Sequence, residues 1–113
     1  MRRVVIESPL RAETESDRKL NRDYARVCCR EALLVYGEAP FASHLLYDQP
    51  GLLDDLDPVE RELGITAGLE YVKGADATVV YTDKGISGGM WRGIAAAKKC
   101  GRPVEYRHLG VIK

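Results

Sequence analysis

The sequence predicts an α/β fold built on a mainly parallel sheet, and three observations lead there. Short apolar runs alternate with longer segments of helical period along the 113 residues. The run Ala75-Asp76-Ala77-Thr78-Val79-Val80-Tyr81 is nearly continuous in apolar and β-branched residues, as a strand covered on both faces must be. It then passes through Asp83-Lys84-Gly85-Ile86-Ser87-Gly88-Gly89 into an Ala-rich segment, which reads as a strand feeding a helix through a glycine turn. The expected architecture is a flavodoxin- or Rossmann-like three-layer sandwich of four or five strands, one domain over residues 1–113.

Each element has its own signal. Val4-Val5-Ile6 is a β-branched first strand, ended by Glu7-Ser8-Pro9 because proline stops pairing. From Ser16 to Tyr36, Leu20, Tyr24, Val27, Cys28, Leu33 and Tyr36 recur at roughly helical spacing and Gly37 supplies the stop. Phe41-Ala42-Ser43-His44-Leu45-Leu46-Tyr47 reads as a second strand, closed by the turn-rich Asp48-Gln49-Pro50-Gly51. Asp57 as N-cap, Pro58 at the first helical position and Glu60 as capping-box partner open a helix that runs to Lys73. Gly64 and Gly68 inside it cost about 1 kcal/mol each relative to Ala, which points to a close approach of another element or of a ligand. After the 75–81 strand, a helix from Gly89 to Cys100 ends at Gly101, and Pro103-Val104-Glu105-Tyr106 makes an edge strand. The tail from Leu109 to Lys113 carries no clear signal.

Composition narrows the partners. The 17 basic and 17 acidic residues cancel, with no long run of either sign, so a nucleic-acid polymer is not expected. No apolar stretch approaches the roughly 20 residues of a membrane span, and Arg2-Arg3 lead straight into a strand without a signal-peptide core, so a soluble cytoplasmic protein without membrane contact is expected. Cys28, Cys29 and Cys100 form neither a disulfide framework nor a ligand pattern, and no metal or cofactor is expected.

In parallel sheets of this kind, ligands bind beyond the carboxyl ends of the strands where strand order reverses. That rule selects Glu7, Ser8 and Pro9 after the first strand, Ser43, His44 and Tyr47 around the end of the second, and Thr82, Asp83, Ser87, Gly88 and Gly89 after the third, and Met90 and Trp91 follow as ligand-binding candidates. The Ser87 to Met90 turn brings unpaired first-turn amides to the positive end of a helix dipole, a cradle for phosphate, carboxylate or a ribose hydroxyl. Arg11 flanks this crevice as the favoured cation, with Arg92 and Arg107 as other candidates. Tyr47 and Trp91 can stack on a nucleobase or pack in the core. Asp83 can accept from sugar hydroxyls or cap the turn. His44 is either a ligand contact or a hydrogen-bonded structural group. Glu7 is the best placed carboxylate for acid–base work.

The strings Val4-Val5-Ile6-Glu7-Ser8-Pro9, Ala75 to Tyr81, and Gly85-Ile86-Ser87-Gly88-Gly89-Met90-Trp91-Arg92-Gly93 resemble the nucleoside 2-deoxyribosyltransferase-like superfamily, which includes nucleoside 5′-phosphate N-glycosidases and small bacterial and phage proteins. The resemblance spans most of the chain. It implies a nucleoside or nucleotide ligand and a homo-oligomer, a dimer or larger. In the enzymes a Gly-Met/Tyr-Glu-x-Gly motif supplies a glutamate that attacks the anomeric carbon. Trp91 stands at that place, and in the register of a Gly-Met-x-x-Glu variant the acid falls on Gly93. The family's aspartate on the preceding helix falls near Gly68, with Glu70 the nearest carboxylate.

Three functions follow. The first is a catalytically degenerate nucleotide-binding protein that captures a nucleoside, nucleotide or ADP-ribose-like molecule. The second is an active N-glycosidase or deoxyribosyltransferase that recruits Glu7 or Asp83. The third is a protein-interaction module in which Trp91 anchors a partner.

Overall fold

The computed structural model describes residues 1–109. Its elements are β1 (Arg3–Glu7), α1 (Glu15–Leu34), β2 (Ala39–Phe41), α2 (Ser43–Tyr47), α3 (Pro58–Gly74), β3 (Ala77–Tyr81), α4 (Gly88–Lys99) and β4 (Val104–Arg107). Among the described residues the sheet has four strands, all parallel, in the order β2-β1-β3-β4. From β1 the chain steps outward to β2, and from β3 it steps outward the other way to β4. The reversal therefore falls between β1 and β3, where Glu7 pairs in register with Val80.

Period-two alternation along the strands sorts side chains into two cores. Val4 and Ile6 of β1 join Ala77, Val79 and Tyr81 of β3 against Tyr24, Cys28 and Ala32 of α1. Val5 points the other way, onto Val72 of α3 and Ala97 of α4, while Val80 meets Met90 and Ile94 of α4. Glu7 follows Val5 by two residues and so leaves the strand on the α4 side. Burying each of the large aliphatic side chains contributes roughly 1.5–3 kcal/mol.

The segment Phe41 to Tyr47, expected as one strand, divides. Only Ala39–Phe41 pairs with β1, and Ser43–Tyr47 winds into α2. The reason lies in its apolar spacing. Ala42 and Leu45, three apart, both meet the α1 core, while Leu46 is largely exposed. Gly68 gives α2 its seat on α3, because a Cβ there would come within 2.8 Å of Ser43 Cβ. Gly64 lies near Leu53 and Tyr47 in the same way.

Helix α1 buries a narrower stripe than its hydrophobic spacing predicts. Tyr24, Cys28 and Ala32, four residues apart, face the sheet, whereas Leu20, Val27 and Leu33 turn outward. Thr14 caps its start by accepting from the Asp17 N–H, a contact worth about 1 kcal/mol. At α3, Asp57 accepts from the N–H groups of Val59 and Glu60, with Pro58 at the first turn. Glu60 does not reach back to Asp57. It accepts instead from the Asp54 N–H and ties down the preceding loop. Leu109 packs against the α1-side core, and the remainder of the expected tail lies outside the described residues.

Candidate functional site

A cleft of about 340 Å³ opens beyond the carboxyl ends of β1 and β3, a size at the lower end of small-molecule sites. One wall is Glu7 and Ser8 with Arg11 in the loop that follows. The second is Ser43 and His44 of α2 with Gly68 of α3, and the third is the turn Ser87-Gly88-Gly89-Met90. Asp55 and Arg61 close the rim.

The third wall is shaped by a cap. Ser87 Oγ accepts from the Met90 N–H at 3.3 Å, and the Ser87 N–H donates to Met90 Sδ at 3.4 Å. Met90 thus takes the reciprocal role that Glu or Gln plays in a capping box, without adding charge. Gly88 and Gly89 follow as the first residues of α4, where helix geometry leaves their N–H groups without an intrahelical acceptor. A Cβ on either would meet nothing within 4 Å, so the protein's own packing does not require glycine there. No acidic side chain sits in this first turn to compete with an incoming anion.

The first wall carries the site's unusual carboxyl. Glu7 keeps partial access to the cleft, yet protein encloses its carboxyl closely, and burial pushes it up to about 8 from an ordinary 4.5. At neutral pH it is mainly the neutral acid, a hydrogen-bond donor. Next to it, Ser8 Oγ and His44 Nε2 are hydrogen-bonded at 3.2 Å. Burial, helped by the charge of Arg22, pushes His44 down to about 4, so the imidazole is neutral. Asp55, by contrast, is raised by burial and by nearby Asp48. Its Oδ1 stands 3.8 Å from Arg61 Nε in the ion pair at the rim.

Of the residues selected from the sequence, Glu7, Ser8, Arg11, Ser43, His44, Ser87, Gly88, Gly89 and Met90 line this one cleft, and Thr82 does not. Tyr47 lines an adjoining recess of about 50 Å³ that shares His44, Asp55 and Arg61 with it. Pro9, Asp83 and Trp91 are not among the lining residues. Pro9 turns the chain between Ser8 and Leu10, which both are. Asp83 faces α1 and Leu109, accepting from the Tyr24 hydroxyl and from the Leu109 N–H. Burial raises its pKa, but these hydrogen bonds outweigh that and hold it below the ordinary value. Trp91 is 52% exposed on the outside of α4. The two other candidate cations are already paired. Arg92 forms a two-pronged contact with Glu62, and Arg107 is bonded to Glu38 and stacked over Tyr36.

Asp55 and Arg61 were missed by the sequence reading. The dense charge between Asp54 and Arg61 is the signal that marks them, but only the folded loop brings it to the cleft.

The four-stranded parallel sheet, its switch point and the helix opening over it define a deoxyribosyltransferase-like α/β fold. Residues 2–107 match the family model described as Domain of unknown function (DUF7768), and the chain belongs to that family. One similar solved structure is the 2-deoxyribosyltransferase of the psychrotolerant bacterium Bacillus psychrosaccharolyticus, with a TM-score of 0.62 and 19% sequence identity. The match covers 98% of this chain and 77% of that one. At that identity the likeness is one of fold. No curated protein sequence matches the chain. No described helix is long and apolar enough to cross a membrane.

Proposed function

We propose that the cleft binds a nucleoside, a nucleotide or an ADP-ribose-like molecule, and that the protein captures this ligand without turning it over. One observation carries the reading. The amide-rich start of α4 faces the cleft together with the neutral acid of Glu7, and α4 supplies no carboxylate there. The Gly88 and Gly89 amides take a phosphate or a sugar hydroxyl, and Arg11 and Arg61 balance its charge. The Glu7 carboxyl donates to an acceptor on the sugar or base, and Tyr47 provides an aromatic face in the adjoining recess. A protonated carboxyl is a poor nucleophile, which favours binding over covalent ribosyl transfer.

A second reading is favoured by the same residue. A neutral carboxyl in a cleft suits a general acid that protonates a departing base, as an N-glycosidase needs. Thermal shift against deoxynucleosides, nucleoside 5′-monophosphates and ADP-ribose, followed by chromatography for free base, separates the two. Stabilisation without base release supports capture, by about 2.7 kcal/mol at a hundredfold excess over Kd. Base release that disappears in Glu7→Gln transfers the function to the second reading. Silence across the panel, with a stable heterocomplex instead, removes both in favour of a protein-interaction module.

A further inference from the structure

The feature with most consequence for the cleft is the way β1 and α4 meet at its floor. A Cβ built on Gly93 would collide with the Glu7 carboxyl group, lying 2.9 Å from Oε1 and closer still to the carboxyl carbon and Oε2. No other glycine of the described residues meets a charged side chain in this way. Gly93 lies in the middle of α4 and is buried, where glycine costs about 1 kcal/mol of helix stability relative to Ala, so its presence there calls for a local cause. Glu7 is that cause. Val5 before it fills the same face of the sheet with hydrocarbon, and at position 7 the chain places an acid against the bare backbone of α4 instead.

We propose that Glu7 and Gly93 are a matched pair, in which Gly93 is the positioning residue that lets a β1 carboxyl occupy the space a side chain at position 93 of α4 would otherwise take. The acid of the cleft is thereby attached to the strand wall rather than the helix wall, and positions 7 and 93 are alternative anchorages for one carboxyl group. This deepens the proposed function by naming what sets the acid's place. It also assigns the position of α4 that meets the Glu7 carboxyl to residue 93, while Trp91 is exposed on the outside of the helix.

The charged or titratable groups that line the cleft around the acid are Arg11 after β1, His44 of α2, Asp55 before α3 and Arg61 of α3, while the α4 residues that line it bring none. None of them contributes to the Glu7 shift, whose cause is burial alone. A displaced carboxyl therefore reveals itself by losing that burial.

The test uses the full chain with ¹³C-labelled glutamate, Glu7 being assigned by comparison with Glu7→Gln. In the wild type the Glu7 carboxyl titrates far above the ordinary 4.5. Gly93→Ala pushes it into solvent, and its midpoint falls toward the ordinary 4.5. In Glu7→Ala/Gly93→Glu the relocated carboxyl again titrates well above the ordinary range. A stability cycle keeps the proposal decidable should Gly93→Ala fold poorly: the added methyl is harmful while Glu7 is intact, and neutral or favourable once Glu7 is truncated as well, in Glu7→Ala/Gly93→Ala. An unchanged Glu7 midpoint in Gly93→Ala, or additive effects in the cycle, overturns the pairing. Neither readout needs a ligand, so failure of every member of the panel of deoxynucleosides, nucleoside 5′-monophosphates and ADP-ribose to bind removes the proposed function and leaves this inference standing.

Discussion

His44 Nε2 on α2 and Ser8 Oγ at the end of β1 are 3.2 Å apart, hydrogen-bonded across one corner of the cleft. Burial holds His44 at about 4, against an ordinary 6.5. Below 6.5 the unfolded chain takes up a proton that the folded chain refuses until about 4, so this residue makes stability fall as pH falls through that window. The loss is at most about 3.5 kcal/mol. Urea unfolding across the window should show His44→Gln gaining stability relative to the wild type as pH falls, with Ser8→Ala weakening the corner at all pH values.

Gly68 and Gly64 make opposite predictions although both sit on the α2-facing side of α3. A methyl on Gly68 meets Ser43 Cβ at 2.8 Å, close to the backbone of α2, and has no flexible atom to displace. Overpacking of that kind costs about 1–3 kcal/mol, more than the roughly 1 kcal/mol gained from helix propensity. A methyl on Gly64 meets Leu53 Cδ1 at 3.3 Å, the end of a side chain that can rotate away. Gly68→Ala should lower the unfolding midpoint and weaken ligand binding by moving Ser43 and His44. Gly64→Ala should leave stability unchanged or raise it.

Asp83 is expected to hold the fold rather than a ligand. It bonds the α1 hydroxyl of Tyr24 and the Leu109 N–H, away from the cleft. Tyr24→Phe removes one hydrogen bond to a charged acceptor, worth about 1.5–3 kcal/mol. Chemical denaturation should register that loss in Tyr24→Phe and Asp83→Asn alike, while titration with any nucleotide that binds the wild type should return an unchanged Kd.

Local chemistry made much of this legible. The apolar run through Val79 and Val80, the Asp57-Pro58 opening of α3 and the Ser87 turn are each decided by neighbours in sequence. The cleft's β1 and α4 walls followed from the switch-point rule. What escaped is decided by helix phase and long-range contact. Five residues of α2 are too few to show a period, so Ser43 to Tyr47 looked like strand. The choice between Trp91 and Gly93 as the position of α4 that meets Glu7 needed the rotation of the helix about its axis. Asp83 was assigned by its place at a strand end, and only the packing of α1 revealed its partner. Asp55 and Arg61 reach the cleft through a loop whose path no local signal predicts.

Glu7 and His44 oppose each other in their effect on stability, and their balance gives the last prediction. The unfolded Glu7 loses its proton near 4.5, whereas the folded residue keeps it to about 8, so stability falls as pH rises through that window. Full ionisation of the buried group costs up to roughly 5 kcal/mol, less whatever water in the cleft screens. Between 4.5 and 6.5 the rise from His44 and the fall from Glu7 largely cancel, and the profile is flat. Above 6.5 His44 is neutral in both states and the Glu7 slope stands alone. Glu7→Gln should abolish the decline between 6.5 and 8, so that the variant overtakes the wild type at alkaline pH, while the acid-side decline from His44 that Glu7 offsets in the wild type emerges in the variant. Equal alkaline slopes in the two proteins would mean that the carboxyl ionises in solvent, and with that the neutral acid of the cleft would be lost.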